Sequence, residues 1–167
     1  MEPFKTTLTP ADLVDCLGGI TVQGVYKALK SHDILTETAN NGRKLVSTIG
    51  VRKLFEERGF IYPNINVSFQ IVKGGVGKTS LSFCLAVRAS HYGAKVLVID
   101  LDQQGNLTRS FNIEAREKPV WLNLFRDNVS VEKAVIKLTD NLHFIPYFKI
   151  LTNSNNNPKK NKSKNIC

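Results

Sequence analysis

Between residues 9 and 30 the apolar positions fall at helical spacing. Leu13, Val14, Leu17, Ile20, Val25 and Leu29 form one seam, which predicts two short helices packed on each other. Thr9, Pro10 and Asp12 read as an N-cap, an N1 proline and an acidic first turn. That helix is expected to run to about Leu17 and stop at Gly18-Gly19, and Thr21 can cap a second helix to about Lys30. Helix, short glycine-containing turn, helix is the helix-turn-helix layout. In "ILTETANNGRKLVSTIG" the Asn40-Asn41-Gly42 run predicts a turn between two extended stretches. Residues 50–60 predict a third helix with Leu54 and Phe55 inward and Gly59 as its stop, and "IYPNIN" at 61–66 reads as a linker.

Beyond residue 66 the period changes. "VSFQIV" at 67–72 predicts a strand, then come a glycine-rich loop, a helix from about Lys78 to Tyr92 ended by Gly93, and a second strand in "AKVLVIDLD" from Ala94. Strand, loop, helix, strand is a βαβ unit, expected to be parallel and right-handed. Residues 120–125 predict a helix start, 131–138 a helix and 142–148 a short strand. Residues 151–167 are Asn/Lys-rich and of low complexity, expected to be disordered because they cannot bury a core. The expected division is 1–62, 63–150 and 151–167.

Composition adds little to this. The 167 residues, 42% apolar, suffice for one ordinary domain or two small ones. The net charge of +9 is uneven: eight Lys/Arg against seven Asp/Glu in 1–66, eleven against seven in 67–150, and four against none in 151–167. Four of the excess charges lie in a short tail, so the basic balance alone argues only weakly for nucleic acid. Cys16, Cys84 and Cys167 contain no CxxC pair, which argues against a disulfide framework or a cysteine zinc site. The N-terminus has no signal-peptide pattern, and the longest apolar runs, "FCLAV" and "VLVI", are too short to span a bilayer. A soluble cytoplasmic protein is the expectation.

The candidate chemistry centres on "IVKGGVGKTS", residues 71–80. It nearly matches the phosphate loop G-x-x-x-x-G-K-[ST], except that Val72 stands where the first glycine belongs and Lys73 is an additional cation. Gly74, Gly75 and Gly77 let backbone N–H groups converge on phosphate oxygens. The helix beginning near Lys78 adds its positive N-terminal end. Lys78 can reach the β- and γ-phosphates, and the Thr79 hydroxyl can bind Mg²⁺. A chance glycine-rich turn is the bland alternative; a predicted strand before the loop and a helix after it argue against that.

"KGGVGKTS" resembles the deviant Walker A loop of the ParA/MinD/iron-protein class of ATPases, matching K-G-G-x-G-K-[ST] at Lys73, Gly74, Gly75, Gly77, Lys78 and Thr79. The resemblance implies ATP and Mg²⁺ as cofactors, held by Lys73, Gly74, Gly75, Val76, Gly77, Lys78, Thr79 and Ser80. It also implies that Lys73 crosses an ATP-dependent homodimer interface and acts on the partner's nucleotide, as an arginine finger does. "VLVIDLDQQGNLT", residues 96–108, resembles the ParA-type element "DLDPQGNAT", with Gln103 where proline is usual. By that resemblance Asp102 positions the attacking water, with Lys73 the second catalytic residue, and Asp100 joins Thr79 at the metal. Two carboxylates at a strand end also occur as solvated turn chemistry. The resemblance covers roughly 64–146. Iron carriers of the class need a cysteine pair that is lacking here. MinD-type proteins carry an amphipathic membrane helix, and this tail has no apolar face, so no membrane partner is expected. A plasmid or chromosome partition ATPase of the ParA type fits best. Its implied partners are DNA and a ParB-type centromere-binding protein, at the nucleoid or plasmid.

In the N-terminal part, "TVQGVYKALK" would be the recognition helix, with Gln23, Tyr26, Lys27 and Lys30 toward DNA and Arg43 and Lys44 at the base of a wing. Operator binding follows from that reading. The alternative is a small helical packing unit with solvated charges. No apolar strand ending in a Walker B carboxylate is found after Asp102. The expected fold is therefore α/β: an incomplete P-loop parallel-sheet ATPase domain, C-terminally truncated, after a small winged-helix-like domain. A working ATPase competes with a remnant that binds DNA or a partner without ATP turnover.

Overall fold

The computed structural model describes residues 7–70, 72–113 and 119–147. The low-complexity segment expected to be disordered lies outside these residues. The described chain is a mixed α/β structure with two hydrophobic clusters, one N-terminal and one around a small sheet.

The N-terminal cluster contains β1 (Thr7–Leu8), α1 (Val22–Ser31), β2 (Thr36–Thr38), β3 (Lys44–Ser47) and α2 (Thr48–Glu57). Thr9 donates its N–H and its hydroxyl to Asp12 Oδ2 at 2.8 and 2.7 Å, and these bonds, the hydroxyl's first, hold the Asp12 carboxyl below its ordinary pKa. The helix expected from Pro10 to Leu17 is instead two 3₁₀ turns, Pro10–Leu13 and Asp15–Leu17. A segment of eight residues is too short to nucleate an α-helix by itself, and the tighter i→i+3 winding puts Pro10, Leu13 and Leu17 into the core together. Gly18 ends it at φ 79°. Thr21 caps α1 as expected, its Oγ1 accepting from Gly24 N–H at 3.1 Å. Ser47 caps α2 the same way through Gly50 N–H at 3.2 Å.

β2 and β3 form an antiparallel hairpin through the Asn40-Asn41-Gly42 turn, with Glu37 opposite Leu45, and β1 covers the other edge of β3. Leu13, Leu17, Val25, Leu29, Val46, Val51, Leu54 and Phe55 fill the space between. Each such side chain contributes about 1.5–3 kcal/mol by leaving water.

The second cluster is built on α3 (Lys78–His91), β4 (Val96–Ile99), α4 (Asn106–Ser110), α5 (Trp121–Arg126), α6 (Val131–Ala134), β5 (Ile136–Lys137) and β6 (Leu142–Ile145). β6 is central, parallel to β4 with Val98 opposite Phe144, and antiparallel to β5 with Ile136 opposite Phe144. Phe111 joins helix to sheet: its ring lies 4.6 Å from Phe83 of α3 and 5.2 Å from Phe144.

Two expectations fail here. Residues 67–70 form no strand, and Val67 and Phe69 are exposed. A strand needs a neighbour to receive its N–H and C=O groups. Among the described residues the one strand paired with β4 is β6, and none runs beside 67–70. Among the described residues the expected βαβ unit does not form, and the parallel pair is 96–99 with 142–145. The helix expected over 131–138 is a single turn, after which Ile136 and Lys137 pair with β6. β-branched Val135 and Ile136 favour the extended form once a strand is available. No helix of the described residues is long and apolar enough to cross a membrane.

Candidate nucleotide site

The glycine-rich loop leads into α3 without a side-chain cap. Gly77 is the N-cap, at φ 83°, and Gly75 sits at φ 74°. Both values lie in the left-handed region, where residues other than glycine are strained. Open space surrounds the Cβ positions of Gly74, Gly75 and Gly77, so the loop presents bare backbone to solvent. The first-turn amides of α3 have no acceptor within the helix and point toward the loop. Val76, Lys73 and Ser80 are exposed, while Lys78 and Thr79 are half-buried. Lys78 folds back over the loop, donating Nζ–H to Lys73 O at 3.2 Å. Backbone donors, a helix N-terminus and a lysine close to both form a cradle suited to an oligophosphate.

α3 packs against β4 through the short turn at 92–95. The helix N-terminus and the strand C-terminus therefore lie at the same end of the unit. That places Asp100 and Asp102 on the loop's side of the fold, at the end of a parallel strand where ligands bind in open sheets.

The two carboxylates differ sharply. Asp102 is exposed, its Oδ1 accepting from Gln104 N–H at 2.9 Å. Asp100 is buried. Its Oδ1 accepts from Asp102 N–H at 3.1 Å, and its Oδ2 accepts from both the N–H and the hydroxyl of Thr108, at 2.9 and 2.6 Å. Both oxygens of Asp100 are thus engaged in holding the loop from 101 to 108, and the bond to the Asp102 amide fixes the backbone that carries the exposed carboxylate. Gly105, at φ 60°, starts α4, and Arg109 closes the loop by donating to Gln104 O at 2.6 Å and Asn106 Oδ1 at 2.7 Å.

Thr108 and Arg109 were not singled out in the sequence. Thr108 stands inside the quoted motif, but its eight-residue separation from Asp100 follows no helix or strand period. Only the path of the loop brings them together.

The residues expected to face DNA lie elsewhere, on the N-terminal cluster. Gln23, Tyr26, Lys27 and Lys30 are all exposed on α1, whose Val25 and Leu29 are buried. Arg43 and Lys44 are exposed at the hairpin, with Lys44 Nζ donating to Thr38 Oγ1 across the strands at 2.7 Å.

Comparison with known proteins places the sequence around this site in a family. The model for the AAA domain family matches residues 65–166. The chain belongs to that family, as a P-loop ATPase of the ParA/MinD type. It is similar to the cellulose biosynthesis protein BcsQ of Salmonella typhimurium, 31% identical over 93 residues, 56% of this chain and 37% of the relative. It is similar also to the cell division protein PomZ of Myxococcus xanthus, 38% identical over 76 residues, 44% of this chain and 24% of the relative. With the chromosome-partitioning ATPase Soj of Thermus thermophilus it shares 35% identity over 74 residues, 44% of this chain and 28% of the relative. The chain spans between 24% and 37% of the length of these relatives.

Proposed function

We propose that this chain binds ATP–Mg²⁺ at its glycine-rich loop and DNA at α1, as part of a partition-type ATPase that dimerises on ATP. The carrying observation is the open loop at the N-terminus of α3, with Lys78 folded over it and the Asp100–Asp102 strand end on the same side. In this reading the amides of 74–79 and the Lys78 ammonium hold the phosphates, and the Thr79 hydroxyl faces the metal. Asp100 supports that shell from behind. Bound Mg²⁺ would neutralise phosphate charge. Asp102, free on one side and fixed by its backbone on the other, orients water. Lys73 belongs to a partner subunit's nucleotide.

Residues 1–62 act as a helix-turn-helix unit, with Gln23, Tyr26, Lys27, Lys30, Arg43 and Lys44 toward nucleic acid, whether bulk DNA or an operator. Relatives named for cellulose biosynthesis and for chromosome partitioning are both similar to part of this chain; the basic, exposed face of α1 favours the partition reading. A ParB-type protein is the proposed second partner, and the nucleoid or a plasmid the proposed site of action.

A second reading, binding without turnover, is favoured by one observation. Val67 and Phe69 before the loop, and Leu81 and Leu85 on α3, are exposed, so no strand among the described residues braces the loop for catalysis.

The test is thermal unfolding with and without ATP–Mg²⁺. A ligand at 100 times its Kd stabilises by about 2.7 kcal/mol. Wild type should show a raised Tm and Lys78→Ala none. A wild-type Tm indifferent to millimolar ATP–Mg²⁺ sinks the nucleotide assignment.

A further inference from the structure

The N-terminal cluster meets the phosphate-loop helix at its far end. α3 stops at His91, Tyr92 is its C-cap, and Gly93 turns the chain at φ 83°. Carbonyls at a helix C-terminus lack intrahelical donors and carry partial negative charge. Two donors from distant parts of the sequence meet the carbonyls at this end. Tyr62 Oη–H donates to Tyr92 O at 2.6 Å, and Arg52 Nη1–H donates to Gly93 O at 3.0 Å.

The donors also hold each other. The Arg52 guanidinium lies over the Tyr62 ring, 4.3 Å from its centroid, and its other arm pairs with Glu56 at 2.7 Å. Burial pushes the Tyr62 hydroxyl up to about 12, so it remains a donor at any ordinary pH. Gly93 is itself required. A Cβ there would stand 2.7 Å from the Arg52 Cα and 2.7 Å from the Tyr62 hydroxyl, and the Cα is backbone that cannot swing aside. Tyr62 and Tyr92 both pack on the N-terminal core.

The chain that links the two clusters covalently has no regular structure over 61–70. It cannot transmit force as a rigid element can. α3, in contrast, is a continuous helix of 14 residues, about 21 Å at 1.5 Å per residue, with the phosphate cradle at one end and this contact at the other.

We propose that Arg52, Tyr62 and Gly93 form a latch that joins the N-terminal cluster to the phosphate-loop helix, so that nucleotide at one end of α3 restrains α2 and the basic α1 at the other. The proposal rests on the nucleotide reading above for its trigger, but the latch itself does not. By reciprocity, whatever nucleotide gains from a closed latch the latch gains from nucleotide.

Hydrogen exchange on the full chain, with and without ATP–Mg²⁺, tests it. In wild type, nucleotide should slow exchange at the start of α3 and also in α2. In Gly93→Ala, and in the milder pair Arg52→Gln with Tyr62→Phe, slowing should persist at the start of α3 and vanish in α2. Equal nucleotide-dependent slowing of α2 in wild type and in the pair overturns the latch. Should wild type show no slowing at the loop, the nucleotide reading has failed and a nucleotide-free arm decides. Urea unfolding of Arg52→Gln, Gly93→Ala and the double variant should then be non-additive. Additive losses would overturn the latch.

Discussion

Thr108 gives both its hydroxyl and its backbone N–H to one oxygen of Asp100, at 2.6 and 2.9 Å, in the buried interior. A carboxylate taken out of water must be met by donors, and here one residue supplies two of the three. Thr108→Val keeps the shape and removes the hydroxyl. It should cost about 1.5–3 kcal/mol, the range for a hydrogen bond to a charged group. Thr108→Ser should recover most of that loss. Urea midpoints of the three proteins check it, and a Val variant as stable as wild type would show the hydroxyl to be dispensable.

The two loop lysines should separate by role. Lys78→Ala should remove the ATP–Mg²⁺ shift in Tm, because Lys78 already lies against its own loop. Lys73→Ala should leave most of the shift in place, since the exposed Lys73 is proposed to act on a second subunit's nucleotide. Titrating nucleotide against each variant measures this, and equal loss in both would refute the division.

Lys27 and Lys30 should carry phosphate contacts. Each alanine substitution should weaken duplex binding and lower the slope of log affinity against log salt by roughly 0.9. Fluorescence anisotropy at several salt concentrations reads the slope. An unchanged slope in Lys27→Ala, Lys30→Ala would favour the view that α1 merely packs.

Gly50 should resist enlargement. A Cβ there would come within 2.9 Å of Ile34 Cγ2 and 3.1 Å of Val46 Cγ1, inside the N-terminal core. Gly50→Ala should therefore destabilise by about 1–3 kcal/mol through overpacking, although alanine is the better helix former. Thermal unfolding compares it with Ile49→Ala on the exposed side of the same helix, where the change should be small.

His91 should make stability fall in mild acid. Its Nδ1 is buried with no hydrogen-bond partner among the described residues, and burial first, then Arg88, lowers its pKa below 6.5. Below 6.5 the unfolded chain takes up the proton before the folded one does, so stability present above that pH is lost as pH falls. His91→Leu should flatten this arm of the stability curve. Tyr62 acts at the opposite extreme: with a folded pKa of about 12 against 10.0, its contribution is full below pH 10 and lost as pH rises toward 12.

Local signals in the sequence determined much of this. The Thr21 cap, the Asn40-Asn41-Gly42 turn and the seam from Leu13 to Leu29 follow from side-chain chemistry within a few residues, and they appear where expected. The glycine-rich turn into α3 was equally legible, because its glycines set their own backbone and the helix that follows. Tertiary structure decided what depends on partners far along the chain. "VSFQIV" has strand-forming residues, but no neighbouring strand meets 67–70, so propensity alone did not make a strand. Ile136 left its expected helix because β6 offered a pairing edge. That Asp100 is met by Thr108, eight residues on, was decided by the path of the loop between them. Arg52, Tyr62 and Gly93, up to 41 residues apart, share no motif: only packing of the N-terminal core against the end of α3 brings those donors to the carbonyls of Tyr92 and Gly93, where a single carbon added at Gly93 would not fit.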